Sequence, residues 1–230
     1  MLHAFNRRKS QLYKRYLGYQ DGSERKVMAE DEITSVIFSP LSFLPDAAVG
    51  TFWRAMVEYR SGSSAWLPSG PVTYASMQFW PLGGPVEPDL VVQLGWASGE
   101  TRTLLIELKW RAALKPEDQL QQQWQKLLSK EQQQSALHLF IAPDVSGGEN
   151  ALTNDVWQGR LLLRPWHQVL EVLEQYTKLE GHPLKKWAVE VTTFLSLLHI
   201  ASFGGFSHRL THPIPAKGNR QHWFWNASNA

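Results

Sequence analysis

The chain has 230 residues, 43% hydrophobic and 19% charged, enough for one domain with a sizeable core and a small appendage. It has no cysteine, which excludes disulfides and cysteine-based zinc sites. No apolar run approaches the length of a membrane span, and Met1–Lys9 lacks the apolar core of a signal peptide, so no membrane partner and a cytoplasmic location are expected.

The net charge of +2 is unevenly spread. Residues 1–27 hold Arg7, Arg8, Lys9, Lys14, Arg15, Arg25 and Lys26 against only Asp21 and Glu24. Such a basic N-terminal arm suits an anionic partner, and Arg7, Arg8, Lys9, Lys14 and Arg15 are the candidates for holding a nucleic-acid backbone. The competing reading is a helix that packs through Leu12, Tyr13, Tyr16, Leu17 and Tyr19 and shows its charges to water. Eleven tryptophans are many for this length, and most are expected in the core or on a partner surface.

Residues 28–43 read as a helix with Glu30, Asp31 and Glu32 in its first turn, where acids suit the helix dipole. Ile33, Val36 and Ile37 form its apolar stripe, and Pro40 ends or kinks it. A second helix is expected over 48–60, then a loop rich in Ser, Gly and Pro over 61–71. The alternation of 72–80 predicts a first strand, and Pro81–Pro85 turns the chain into the next.

The most informative stretch is Glu87-Pro88-Asp89 leading into an apolar run to Leu94, then a Gly-containing loop over 95–102, then Thr103–Trp110. This is an antiparallel hairpin by pattern, with Pro88 placed just before a strand, where its missing N–H costs no ladder bond. Strand alternation puts Leu104, Ile106 and Leu108 on one face and Leu105, Glu107 and Lys109 on the other. Charges in apolar strands are costly unless paired or bound to metal. Glu107 and Lys109 therefore stand side by side at one end of a sheet, and Asp89 on the neighbouring strand can reach the same spot. Two carboxylates and an ammonium suit Mg²⁺, which takes oxygen ligands and keeps several waters.

Pro88-Asp89 followed by Glu107-Leu108-Lys109 resembles the PD-(D/E)XK motif of restriction-endonuclease-like nucleases. The resemblance covers about residues 28–175 in organisation and only the short motif in side chains. It implies an α/β fold with an αβββαβ core, a central mixed sheet flanked by helices, over residues 28–178. It also implies catalytic roles for Asp89, Glu107 and Lys109. Mg²⁺ or Mn²⁺ would be held by Asp89, Glu107, the carbonyl of Leu108 and a further acid from the preceding helix, Glu30 first and Glu32 as the alternative. A glutamine of the following helix sometimes faces the metal, which here means Gln119, Gln122 or Gln123.

That helix is predicted from Pro116 to about Gln133, with Leu120, Trp124, Leu127 and Leu128 as its stripe. Residues 136–142 read as a buried strand, in which His138 is a core histidine, followed by a loop over 143–155. A strand over 159–163, a helix through about Lys178 and a C-terminal helix over 184–200 complete the pattern. Residues 179–230 form that helix and an aromatic, basic tail packed on the core; His208, His212 and His222 lack the tight spacing of metal ligands. No Gly-rich phosphate loop, internal repeat or Gly-x-Ser-x-Gly turn is present, so an ATPase or serine hydrolase is not supported.

The expected activity is metal-dependent hydrolysis of phosphodiester bonds in nucleic acid, DNA first. The resemblance implies a role in a mobile element or anti-phage defence, beside a protein partner that selects the target, and it admits a homodimer. The rival is a non-catalytic nucleic-acid-binding or assembly subunit of the same fold. Asp89 and Glu107 are expected to be dispensable for folding, since neither is expected to fill the core.

Overall fold

The structure, a computed structural model, describes residues 1–19, 29–60, 66–81, 86–111 and 114–202. The tail with His208, His212, His222 and the aromatic residues beyond 202, and the basic residues Arg25 and Lys26, lie outside the described residues.

The chain opens with a short helix α1 (Leu2–Asn6) and a 3-10 segment over Leu12–Leu17. Helices α2 (Ala29–Phe38) and α3 (Asp46–Glu58) precede strands β1 (Val72–Phe79), β2 (Leu90–Trp96) and β3 (Thr101–Leu108). Then come α4 (Gln119–Leu127), α5 (Lys130–Gln133), β4 (Leu137–Ala142), α6 (Ser146–Leu152), β5 (Leu161–Pro165), α7 (Trp166–Thr177) and α8 (Lys185–Leu197). The five strands lie in sequence order. β1, β2 and β3 pair antiparallel, and β3, β4 and β5 pair parallel. The protein is therefore α/β, with a mixed sheet flanked by helices.

Alternation along β3 and β4 divides the interior. Leu104, Ile106 and Leu108 join Leu137, Leu139 and Ile141 in the larger core, under residues of α2, α3, α7 and α8. Leu105 and Phe140 face the other way, into a smaller core with Leu120 and Trp124 of α4 and Trp157. Each fully buried aliphatic or aromatic side chain contributes roughly 1.5–3 kcal/mol. Glu107 shares its face with Leu105, so the smaller core carries the buried carboxylate.

Residues 1–19 are tied to the body. Phe5 stacks on Phe194 of α8 at 5.4 Å, Tyr16 is buried in the larger core, and the Asn6 amide donates to the Glu190 backbone carbonyl at 2.9 Å. Gly18 has φ +90°, a left-handed conformation that glycine adopts without the strain of a side chain, where the segment passes the Arg111 side chain.

Several boundaries differ from the sequence pattern. α2 stops at Phe38, ahead of Pro40, and Leu41–Phe43 form a 3-10 turn. The predicted helix over 116–133 is two helices: Leu128 is extended, and Ser129 starts α5 with a capping box to Gln132. The predicted loop over 143–155 contains α6. Its Gly148 has no room for a Cβ, which would lie 2.4 Å from Leu163 and 2.8 Å from Phe140, so this one of the two glycines that suggested a loop serves close helix-on-sheet packing. β5 runs to Pro165, two residues beyond expectation, because Arg164 is itself a buried strand residue. Its Nε and Nη2 donate to the carbonyls of Met56 and Val57 at 2.8 and 2.9 Å, holding the last turn of α3.

Candidate functional site

The motif residues meet at one end of the sheet. Leu90 lies opposite Ile106 in the β2–β3 ladder, so Asp89, one residue before β2, stands beside Glu107 and Leu108. Its Oδ2 accepts from the Leu108 backbone N–H at 2.7 Å. Leu108 turns its side chain into the larger core, 2% exposed. Lys109 follows the last residue of β3. Its own N–H donates to the Ile141 carbonyl at 2.8 Å, and Trp166 Nε1 donates to its carbonyl at 2.9 Å, so its backbone is fixed on both sides.

Glu107 is 1% exposed, and its carboxylate is enclosed by donors. Oε1 accepts from Lys109 Nζ at 2.8 Å and from Gln119 Nε2 at 2.7 Å; Oε2 accepts from Gln123 Nε2 at 2.7 Å. The spacing of Gln119 and Gln123, one helical turn apart on α4, puts both amides on the face that covers Glu107. Their Oε1 atoms are buried without a hydrogen-bond partner. Gln122 points elsewhere: its amide donates to Asp118 at 2.8 Å, and its oxygen accepts from Lys126 at 2.9 Å.

Two of the three acids of α2, Glu30 and Glu32, part company. Glu30 reaches the site, where Oε1 accepts from the Trp110 backbone N–H at 3.0 Å and Oε2 lies 3.5 Å from Lys109 Nζ. Glu32 turns to the N-terminal segment, ion-paired with Arg15 and accepting from the Tyr16 hydroxyl at 2.8 Å. Of the five basic candidates, Arg15 is thus engaged with α2. Arg7, Arg8, Lys9 and Lys14 are exposed, and Lys14 lies 2.7 Å from the Gln11 amide oxygen.

The electrostatics are those of a site short of positive charge. Burial, then the Glu107 charge, holds the Asp89 carboxyl well above the ordinary carboxylate range. Burial also raises Glu107, against the opposing pull of Lys109 and Gln123. For Lys109, burial alone would lower the pKa, but Glu107, Glu30 and Asp89 together outweigh it and the net shift is upward. Asp31 is raised as well, by burial and then by Glu30, with Glu87 and Glu32 adding to the same field. As they stand, no three His, Cys, Asp or Glu side chains among the described residues come close enough together to hold a metal ion.

Three participants were not identified as site residues from the sequence, although Tyr16 was expected to pack on the body. Trp110 offers its backbone N–H to Glu30 and its Nε1 to the Tyr16 carbonyl at 2.8 Å. Trp166 packs on Trp110 with ring centroids 5.8 Å apart and holds the Lys109 carbonyl. Tyr16 thereby links the N-terminal segment to the site. Tryptophan abundance alone distinguishes none of these from core residues.

Geometrically, the site combines a buried carboxylate, Glu107, a partly buried one, Asp89, a charged ammonium between acids, and two amides fixing Glu107. Carboxylate oxygens accept from donors or from a cation, and the ammonium donates to an anion. A scan against protein-family models and searches of curated proteins and of solved structures gave no significant match.

Proposed function

We propose that the chain is a metal-dependent nuclease of the PD-(D/E)XK type, hydrolysing phosphodiester bonds of nucleic acid, DNA first. The supporting observation is that Glu107 is buried and Asp89 partly buried, both with raised pKa values, beside one ammonium, Lys109. Carboxylates so placed favour either a proton or a cation, and their oxygens suit Mg²⁺ or Mn²⁺. The order α3, β1, β2, β3, α4, β4, with the short α5 between the last two, agrees with the αβββαβ core that this reading requires.

Asp89 and Glu107 would hold the ion, with the Leu108 carbonyl beside them. When bound, it supplies positive charge for the scissile phosphate and lowers the pKa of a water. Gln119 and Gln123 keep the Glu107 carboxylate in a single orientation. Lys109, kept charged between Glu107 and Glu30, donates to a phosphate oxygen or to the attacking water. Glu30 positions Lys109 and Trp110 and stands next to the site as a further acid. The setting in this reading is the cytoplasm, within a mobile-element or anti-phage system, alongside a protein that selects the target.

One observation favours a second reading. Both oxygens of Glu107 already accept hydrogen bonds from Lys109, Gln119 and Gln123, so the charges can serve as a closed structural network in a non-catalytic nucleic-acid-binding or assembly subunit. Cleavage of labelled DNA and RNA in Mg²⁺ and Mn²⁺, by the wild-type chain and by Glu107→Gln, separates the two. The nuclease reading requires metal-dependent cleavage that the substitution removes.

A further inference from the structure

A cleft of about 480 Å³ opens beside Lys109, beyond the carboxyl ends of β3 and β4. Its walls include Lys109, Arg111, Asp144, Gly147 and Asn150, and Phe140 lies in its floor. Glu107 and Phe140 are partners in the parallel register, so they point to the same face of the sheet. The cleft therefore begins where the buried carboxylate ends.

Its size falls in the range of small-ligand sites, roughly 300–1,000 Å³. A single nucleotide fits such a space, whereas a double helix is far too wide. Its charge argues in the same direction. Lys109 and Arg111 face Glu117 and Asp144, so the lining is close to neutral. A groove that follows a nucleic-acid backbone is strongly basic, and this one is not. A polar rim over an apolar floor suits a base instead. The exposed side-chain amide of Asn150 offers both donors and an acceptor, the pattern that reads a base edge. Asp144 Oδ1 accepts from the Ser146 N–H at 2.9 Å, which fixes that wall. Gly147 keeps the cleft open: a Cβ there would lie 3.2 Å from Leu114, and a longer side chain would narrow the opening.

We infer that this cleft receives one unstacked nucleotide of the strand whose phosphate lies at Lys109, so that the preferred substrate is single-stranded or locally opened at the cut. The inference rests on the nuclease reading for the placement of the phosphate. It commits to a nucleotide with its base inward, next to Asn150.

Photocross-linking tests it without requiring cleavage. Oligodeoxynucleotides carry 4-thiothymidine at one position and are presented to the full chain in EDTA as a single strand, as a duplex with that base unpaired, and as an uninterrupted duplex. Cross-linking to the peptide spanning 143–150 is expected with the first two and lost with the third. It is also expected to be lost in Asn150→Trp and in Gly147→Leu, each melting like the wild type and each still binding the oligonucleotide. Cross-links to 143–150 that are equally strong with the uninterrupted duplex, or unchanged in both variants, overturn the inference. So does binding with no cross-link to that segment. Cleavage of the same oligonucleotides in Mn²⁺ is scored separately. Cross-linking as expected without cleavage, with any required protein partner present, removes the nuclease reading and leaves the nucleotide cleft standing.

Discussion

Asp89 Oδ2 accepts the backbone N–H of Leu108 at 2.7 Å, so one of the two candidate metal ligands also completes the backbone hydrogen bonding at the end of β3. The expectation that neither Asp89 nor Glu107 fills the core is corrected for Glu107, which is 1% exposed. Glu107 is buried with three donors around it, and Asp89 satisfies a buried amide. Alanine at either position removes a charge and also leaves donors unpaired.

Asparagine at position 89 separates these effects, because it keeps an acceptor for Leu108 and loses the charge. The Asp89 carboxyl is raised in the folded state. Its contribution to metal-free stability is thus fully present below the ordinary carboxylate pKa, about 4, and is lost as pH rises through the higher folded value. Asp89→Asn should melt above the wild type at neutral pH in EDTA, with the gain vanishing near pH 4. Asp89→Ala should give back about 1–3 kcal/mol for the orphaned amide. Mn²⁺ should raise the melting temperature of the wild type and not of Asp89→Asn. A pH-independent difference between wild type and Asp89→Asn would contradict the raised carboxyl.

His138 should produce the opposite slope. It is fully buried, its Nδ1 accepts from Trp157 Nε1 at 3.1 Å, and burial pushes its pKa down to about 3. A depressed histidine gives stability that is complete above its unfolded pKa, about 6.5, and is lost as pH falls toward the folded value. Denaturant titrations of the wild type should lose on the order of 1 kcal/mol per pH unit across that window from this residue alone. His138→Gln should flatten that component. An unchanged slope would show that His138 is not a neutral core group.

Arg164 is a structural charge. Its guanidinium closes the end of α3 through the carbonyls of Met56 and Val57. Arg164→Met keeps much of the volume and should cost roughly 3 kcal/mol, since hydrogen bonds from a charged group are lost and buried carbonyls are stranded. Nucleic-acid binding should persist at a temperature where the variant is folded. A loss under about 0.5 kcal/mol, the ordinary range for surface changes, would contradict this role.

The basic N-terminal residues make a separable prediction. Arg15 should be left in place because it pairs with Glu32. Replacing Arg7, Arg8, Lys9 and Lys14 with Ala should weaken DNA binding at low salt. The slope of log affinity against log salt should flatten by about 0.9 for each phosphate contact removed. Unchanged affinity and slope would make these four a solvated face.

Period-two alternation sufficed to put Glu107 and Lys109 together on the face opposite Ile106, because a strand leaves little choice of side. Helical spacing put Glu30 on the side of α2 that carries Ile33 and Ile37. What the pattern lacked was long-range. Arg164 in a strand finds its partner 108 residues away, and no local rule points to it; Gln123, 16 residues from Glu107, was a candidate only through the family resemblance, which did not separate it from Gln122. The break after α4 was legible in Ser129 and Gln132, a Ser-x-x-Gln capping box that the continuous apolar stripe obscured. α6 was obscured because glycines that allow close packing look like loop glycines.

The most direct test is cleavage of end-labelled DNA in Mg²⁺ or Mn²⁺, with any required protein partner present, by the wild type, Asp89→Asn, Glu107→Gln and Lys109→Ala. Each variant should first be shown to melt cooperatively. Metal-dependent cleavage by the wild type is expected, with a loss on the order of 100-fold or more in every variant and DNA binding retained. Wild-type cleavage that survives in folded Asp89→Asn and Glu107→Gln, or cleavage indifferent to EDTA, would contradict the nuclease reading.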